Sequence, residues 1–262
     1  MQTDIDAYAP ENLMTRVEAA AVKKRQLSTL QLSVLAILAG AFIGFGALFF
    51  MVTITGSTLG FGPTRLLGGL AFSLGLVLVV VAGAELFTGD NLMIIAWADR
   101  KLKLGELLRV WGIVYFGNFI GSLGLAALVA FSGLFADNPD LAAQAGSIAD
   151  AKVNLDLGEA FVRGILCNAL VCLAVWIAFA ARRVSGKILA IVFPITAFVA
   201  CGFEHCVANM FMVPVAMFAG ISDAEVQQFA LNLVSVTAGN IIGGSAFVAI
   251  VYWLVYSHAR QS

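Results

Sequence analysis

The run CGFEHCVANMFM at residues 201–212 sets a carboxylic acid, Glu204, beside an imidazole, His205, in a stretch that is otherwise apolar. His205 is one of two histidines in the chain. An imidazole has an ordinary pKa of about 6.5, so it can hold or release a proton near neutral pH. A weak-acid anion passing His205 can share that proton and cross as the neutral acid, whereas a bare charge at the bilayer centre costs at least about 2.5–3.5 kcal/mol. A structural histidine, bonded to Thr88 or to backbone, is the competing reading. A second polar cluster, GAELFTGDN at 83–91, carries Glu85 and Asp90. Carboxylates facing an anion path would repel the anion. Glu85 and Glu204 are therefore expected to be structural, accepting hydrogen bonds from backbone N–H groups freed where a helix breaks, or capping the half-helix that follows.

The elements that hold these residues are membrane spans. Of 262 residues, 61% are hydrophobic and 12% charged, with mean hydropathy +0.95; soluble domains carry about 25% charged residues. Apolar runs of 20 or more then indicate an all-α polytopic membrane protein. The net charge of −1 gives no reason to expect a nucleic-acid partner. Residues 1–29 are too polar for a cleavable secretory signal. Cys167, Cys172, Cys201 and Cys206 lie in apolar segments and match neither a zinc motif nor a disulfide scaffold. Six spans are predicted, near 30–55, 66–97, 106–134, 158–181, 187–219 and 226–256. The second and fifth exceed 30 residues and contain the two polar, Gly-bearing clusters, so both are predicted to be broken helices.

The chain divides into an N-terminal segment (1–29), a channel domain (30–256) and a tail (257–262). PENLMTRVEAAAVKKRQ at 10–26 is predicted to form an amphipathic helix opened by Pro10. Its apolar face can rest on the membrane surface or on the channel body. With alternating spans, Arg16, Lys23, Lys24, Arg25, Arg100, Lys101, Lys103, Arg109, Arg182, Arg183, Lys187 and Arg260 fall on one side, and Arg65, Lys152 and Arg163 on the other. That bias places both termini in the cytoplasm.

An internal repeat runs through the spans. GNFIGS at 117–122 returns as GNIIGG at 239–244, and GAELFTGDNLM at 83–93 is echoed by GFEHCVANMFM at 202–212. Three spans per copy force opposite topologies, and inverted repeats with broken helices in matching places put a transport site near the midplane. A half-helix beginning there offers backbone N–H groups and a positive dipole end to an anion. Gly40, Gly44 and Gly46, and Gly117, Gly121 and Gly124, have the spacing of closely packed helices.

GAELFTG at 83–89, the GFEH…ANMFM…P stretch at 202–214 and the paired GN[FI]IG motifs resemble the formate/nitrite transporter family. The run ANMFMVPVAMF at 208–218 is most similar to its formate-channel branch. The resemblance covers all six spans and the N-terminal helix. It implies a homopentamer in the lipid bilayer of a bacterial inner membrane, each protomer aquaporin-like with its own pore for formate, nitrite, hydrosulfide or similar small anions. No cofactor or metal is implied. It assigns His205 as the central histidine, faced by Thr88 in the second-span break formed by Leu86, Phe87 and Thr88. It puts apolar constrictions at Phe72, Leu76 and Phe198, polar lining at Asn168 and Asn240, and a vestibule lysine at Lys152. Phe72 and Leu76 are four apart and share one helix face. Asp90 stands where many relatives carry an uncharged residue or a histidine, and Cys206 where serine or another small residue is usual. Asp90 either adds negative charge or caps the second half-helix.

Two other classes compete. A membrane-embedded aspartyl protease would use the Gly-Asp pair at 89–90, but no second membrane aspartate completes a dyad, and no HExxH motif occurs. A water or glycerol channel would show Asn-Pro-Ala signatures, which are absent.

Overall fold

The computed structural model describes residues 7–257, so Arg260, the tail beyond Ser257 and the first six residues lie outside the described residues. Helix α1 (Pro10–Arg25) starts on Pro10 and Glu11 and ends on Lys23, Lys24 and Arg25, matching the helix dipole at both ends. It buries Leu13, Met14, Val17 and Ala21, so its apolar face rests on the protein body. Ser28 and Gln31 form a capping box that opens α2 (Thr29–Ile54). Helix α3 (Phe61–Val77) continues through a π-helical turn (Leu78–Gly83). Extended residues 84–86 follow, and then a half-helix made of α4 (Phe87–Asp90), a 3₁₀ turn (Asn91–Met93) and α5 (Ile94–Ala98).

Helix α6 (Leu104–Phe131) leads into α7 (Leu134–Asp137) and α8 (Pro139–Val153). Helix α9 (Leu157–Ala180) is capped by Asp156, whose carboxylate accepts from Gly158 and Glu159 N–H. Helix α10 (Val184–Ala200) ends in a turn and extended residues 203–205 before α11 (Cys206–Phe218). Helix α12 (Val226–Gly244), a π-helical turn (Ser245–Ile250) and α13 (Val251–Ser257) complete the described chain.

Among the described residues, five helical stretches are long and apolar enough to cross a membrane: Thr29–Ile54, Phe61–Gly83, Leu104–Phe131, Leu157–Ala180 and Val226–Ser257. Helices α10 and α11 are shorter and apolar. The break in the second predicted span therefore follows a 23-residue apolar stretch, whereas the break in the fifth separates 17 residues from 13. The segment 137–156, between the third and fourth predicted spans, is largely helical. Pro139 at the first helical position, Asp140 in the first turn and Lys152 in the last turn support α8.

Two helix pairs are drawn together by the repeated glycine motifs. A Cβ on Gly121 of α6 would lie 1.9 Å from the Ile37 carbonyl of α2, and one on Gly243 of α12 would lie 2.1 Å from the Ile165 carbonyl of α9. No side chain fits either gap, so glycine sets both contacts. Gly124 faces open space instead. Phe116, Leu128, Phe131, Phe193 and Phe247 are exposed on the outer surface, as expected where lipid or another protomer covers the protein.

Candidate functional site

The two breaks share one backbone scheme. Gly83 and Gly202 turn the chain at φ +89° and +71°, values that favour glycine. Ala84 N–H donates to the Val79 carbonyl, and Phe203 N–H to the Phe198 carbonyl. Glu85 N–H then reaches Leu35 O of α2, and Glu204 N–H reaches Arg163 O of α9. Leu86 (φ −112°, ψ 123°) and His205 (φ −116°, ψ 115°) stand at the same extended position, just before each half-helix.

One asparagine holds each break. Asn118 of α6 donates to Ala36 O and Glu85 O at 2.8 and 2.9 Å and accepts Phe87 N–H at 2.9 Å. Asn240 of α12 donates to Gly164 O and Glu204 O at 2.8 and 2.9 Å and accepts Cys206 N–H at 2.9 Å. Both are fully buried. Each satisfies backbone groups that the interrupted helix cannot satisfy itself. Asn240, expected as polar lining, spends its amide on this clamp. Asn118 was not singled out, although it sits in the repeated GNFIGS motif that could have marked it.

The carboxylates bond to partners other than those expected. Glu204 takes Lys152 Nζ of α8 at 2.9 and 3.0 Å and the Asn209 amide at 2.7 Å. Glu85 takes Lys24 Nζ of α1 at 2.5 Å, and the same nitrogen meets Asp90 at 2.5 Å. Ammonium groups displace freed N–H groups as partners because they satisfy the charge as well as the lone pairs. Burial opposes the charge on Lys24, but Asp90 and Glu85 outweigh it and hold its pKa above the ordinary lysine value. A raised lysine pKa gives stability that is full below the ordinary value, about 10.4, and lost only as pH climbs past it. The clamp on α1 therefore holds throughout the neutral range. Arg25 with Glu106, and Lys101 with Glu18, add two further ties to α1.

His205 is 2% exposed. Its Nδ1 accepts Ala208 N–H at 3.1 Å, capping α11, and its Nε2 lies 2.9 Å from Thr88 Oγ1. A nitrogen that accepts a backbone N–H carries no proton, so the neutral ring has its proton on Nε2, directed at Thr88. This contact bridges the two half-helices. The Phe198 ring stacks beside the imidazole at 5.9 Å, and Phe72 meets Phe198 edge-on at 5.5 Å.

Two vestibules approach this centre from opposite sides. One, of about 460 Å³, is bounded by Lys24, Glu85, Asp90, Leu76 and Leu86. The other, of about 190 Å³, is bounded by Lys152, Arg65, Arg163, Phe72, Phe198 and His205. Among the described residues, none borders both. Leu76 and Leu86 line the first, and Phe72, Phe198 and His205 line the second.

Phe87 lies apart from both, its ring edge-on to Tyr115 at 4.9 Å and Trp111 at 6.0 Å. Asn168 is fully buried, its amide within reach of Thr88 O, Asn91 Oδ1 and Asn240 O. Cys206 is fully buried at the start of α11. No group of three or more His, Cys, Asp and Glu able to hold a metal occurs among the described residues.

A profile of the formate/nitrite transporter family matches residues 11–254. The formate channel FocA of Escherichia coli (strain K12) is 39% identical over 271 residues, covering 96% of this chain and 95% of that one. The uncharacterized transporter YrhG of Bacillus subtilis (strain 168) is 42% identical, covering 97% and 95%. A solved chain described as a pentameric formate channel with formate bound superposes with TM-score 0.81 at 41% identity, over 87% of this chain and 97% of that one. One described as an FNT family ion channel gives 0.84 at 29%, over 93% and 98%. Agreement along nearly the whole length, in sequence and in backbone, makes this chain an integral membrane protein that belongs to the formate/nitrite transporter family.

Proposed function

We propose that the protein is a homopentameric channel or transporter for formate and similar small monovalent anions, with a separate passage through each protomer. The relatives named as formate channels support the substrate, and the solved relative described as pentameric supports the assembly. The observation that carries the reading is the His205–Thr88 contact, set in an apolar plug between two vestibules. The paired bonding of Asn118 and Asn240 supports six spans in two inverted three-helix repeats, with an aquaporin-like protomer. The excess of basic residues on the α1 side supports cytoplasmic termini in a bacterial inner membrane.

Physically, an anion meets Arg65 at one mouth, beside the ion pairs Lys152–Glu204 and Arg163–Glu159, and the net positive charge attracts it. In the narrow apolar zone it loses water. There the Nε2–H of His205 polarises the Thr88 hydroxyl, and that hydroxyl donates to the anion. Full proton transfer from the ring would need an imidazolium, whose second proton must displace the Ala208 N–H from Nδ1. The cap on α11 thus opposes complete transfer and favours a shared proton, unless the ring turns.

The test is uptake by proteoliposomes offered formate, nitrite, hydrosulfide or glycerol. Formate uptake is expected to be rapid and glycerol uptake absent; glycerol outpacing formate would end the anion reading, and nitrite or hydrosulfide dominating would move the substrate within the family. His205→Phe is expected to lower formate uptake at acidic pH at least about tenfold, the loss of one buried charge-assisted hydrogen bond, with the pentamer intact. Unchanged uptake would remove the histidine from the mechanism.

A further inference from the structure

We propose that Glu85 and Asp90 form a proton-binding site at the α1-side mouth, the two carboxyl groups sharing one proton. Both carboxylates meet the single ammonium of Lys24, each with one oxygen 2.5 Å from it, so the two groups share one cation. Asp90 is 1% exposed, and its Oδ2 has no hydrogen-bond partner. Two carboxylates gathered on one ammonium, one of them buried, repel each other, and a single proton shared between them would replace that repulsion with a hydrogen bond. The group facing this pair from α1 is Lys24; Lys23 of α1 and Lys187 of α10 line the same vestibule. Helix α9 brings the Cys172 thiol to the adjoining Thr88 carbonyl, and α6 brings the Trp111 indole, which donates to the Asp90 carbonyl and not to its carboxylate. With Lys24 charged, the cluster is neutral when it holds the proton and carries −1 when it does not.

The matching cluster at the other break lacks this property. There Asn209 occupies the place of Asp90 and donates to Glu204, so one lysine and one carboxylate balance. The proton site therefore belongs to one mouth only. Empty, it repels anions arriving at that vestibule; occupied, it does not. This consequence for flux rests on the anion-channel reading, whereas occupancy of the site does not.

Infrared spectroscopy of the whole protein in lipid, with ¹³C-labelled aspartate, reads the occupancy directly. The expected result is a protonated aspartate carbonyl band at neutral pH that shifts in deuterium oxide and is missing from Asp90→Asn. The other described aspartates are at helix ends or in loops, so the band in unmodified protein decides the matter even if the variant does not fold. Absence of the band overturns the proposal. So does a band replaced by sodium-dependent carboxylate signals when choline is exchanged for sodium, which would make a metal cation the occupant. In proteoliposomes, Asp90→Asn is expected to raise formate flux roughly fivefold at alkaline pH, where the parent site has given up its proton, to change it little in acid, and so to flatten its dependence on pH at the α1 side, the effect of one unit charge beside a partly screened path. A pH profile identical to the parent protein overturns the mouth's role. No formate flux in either protein, with the band present, overturns the channel reading and leaves the proton site standing.

Discussion

The breaks at 84–86 and 203–205 have the same backbone and different side chains. Glycine turn, glutamate, extended residue and asparagine clamp recur one for one. At the extended position one break carries Leu86 and the other His205; five residues past the glutamate, one carries Asp90 and the other Asn209. Backbone bonding tolerates little change because an unsatisfied group in hydrocarbon is so costly. Side chains beyond the clamp are free to diverge, and there the chemistry resides. The supporting lysines diverge too: Lys24 comes from the N-terminal α1, Lys152 from α8 between the two halves.

The strongest test of that likeness removes the clamps. Asn118→Ala and Asn240→Ala should each cost about 3 kcal/mol or more, since several buried backbone groups lose a partner at about 1–3 kcal/mol apiece. Thermal unfolding in detergent measures both, and losses differing severalfold would show that the two breaks are not equivalent. Next in size is Asn209→Asp, which gives the second break the charge pattern of the first. It should destabilise by about 2 kcal/mol near neutral pH, and the deficit should shrink in acid as protonation removes the added charge. A deficit independent of pH would point to lost shape and not to charge. The smallest effect belongs to the reverse exchange, Asp90→Asn, expected to stabilise by about 1 kcal/mol near neutral pH, because the folded chain no longer has to hold a proton on a carboxyl that the unfolded chain ionises. A destabilised variant would mean that Lys24 needs both carboxylates.

Much of this was legible in advance for physical reasons. A membrane demands about 20 apolar residues per crossing, so the four unbroken helices near 30–55, 106–134, 158–181 and 226–256 could be read within a few residues. Polar clusters inside over-long spans located both breaks, and the recurring glycines located the close helix pairs. Other features depend on partners distant in sequence. A carboxylate at a break announces that it needs donors, but nothing local says that Lys24 and Lys152 are the ones in reach. Phe87 shares the second-span break with Leu86 and Thr88, yet adjacent residues entering a helix diverge by about 100°, and its ring turns to Tyr115 and Trp111. Helix α8 escaped because its polar sequence resembles a loop, and only Pro139, Asp140 and Lys152 mark its ends.

The fastening of α1 has a consequence for synthesis. Its lysine meets an acid 66 residues further on, Glu18 is gripped from 83 residues away, and Arg25 waits for Glu106, 81 residues later. At roughly 5–20 residues per second, the leading helix emerges about 5–15 s before its last anchor exists. Two spans must therefore enter the bilayer while the N-terminal segment is unattached, and the vestibule it borders closes over only after the third has begun.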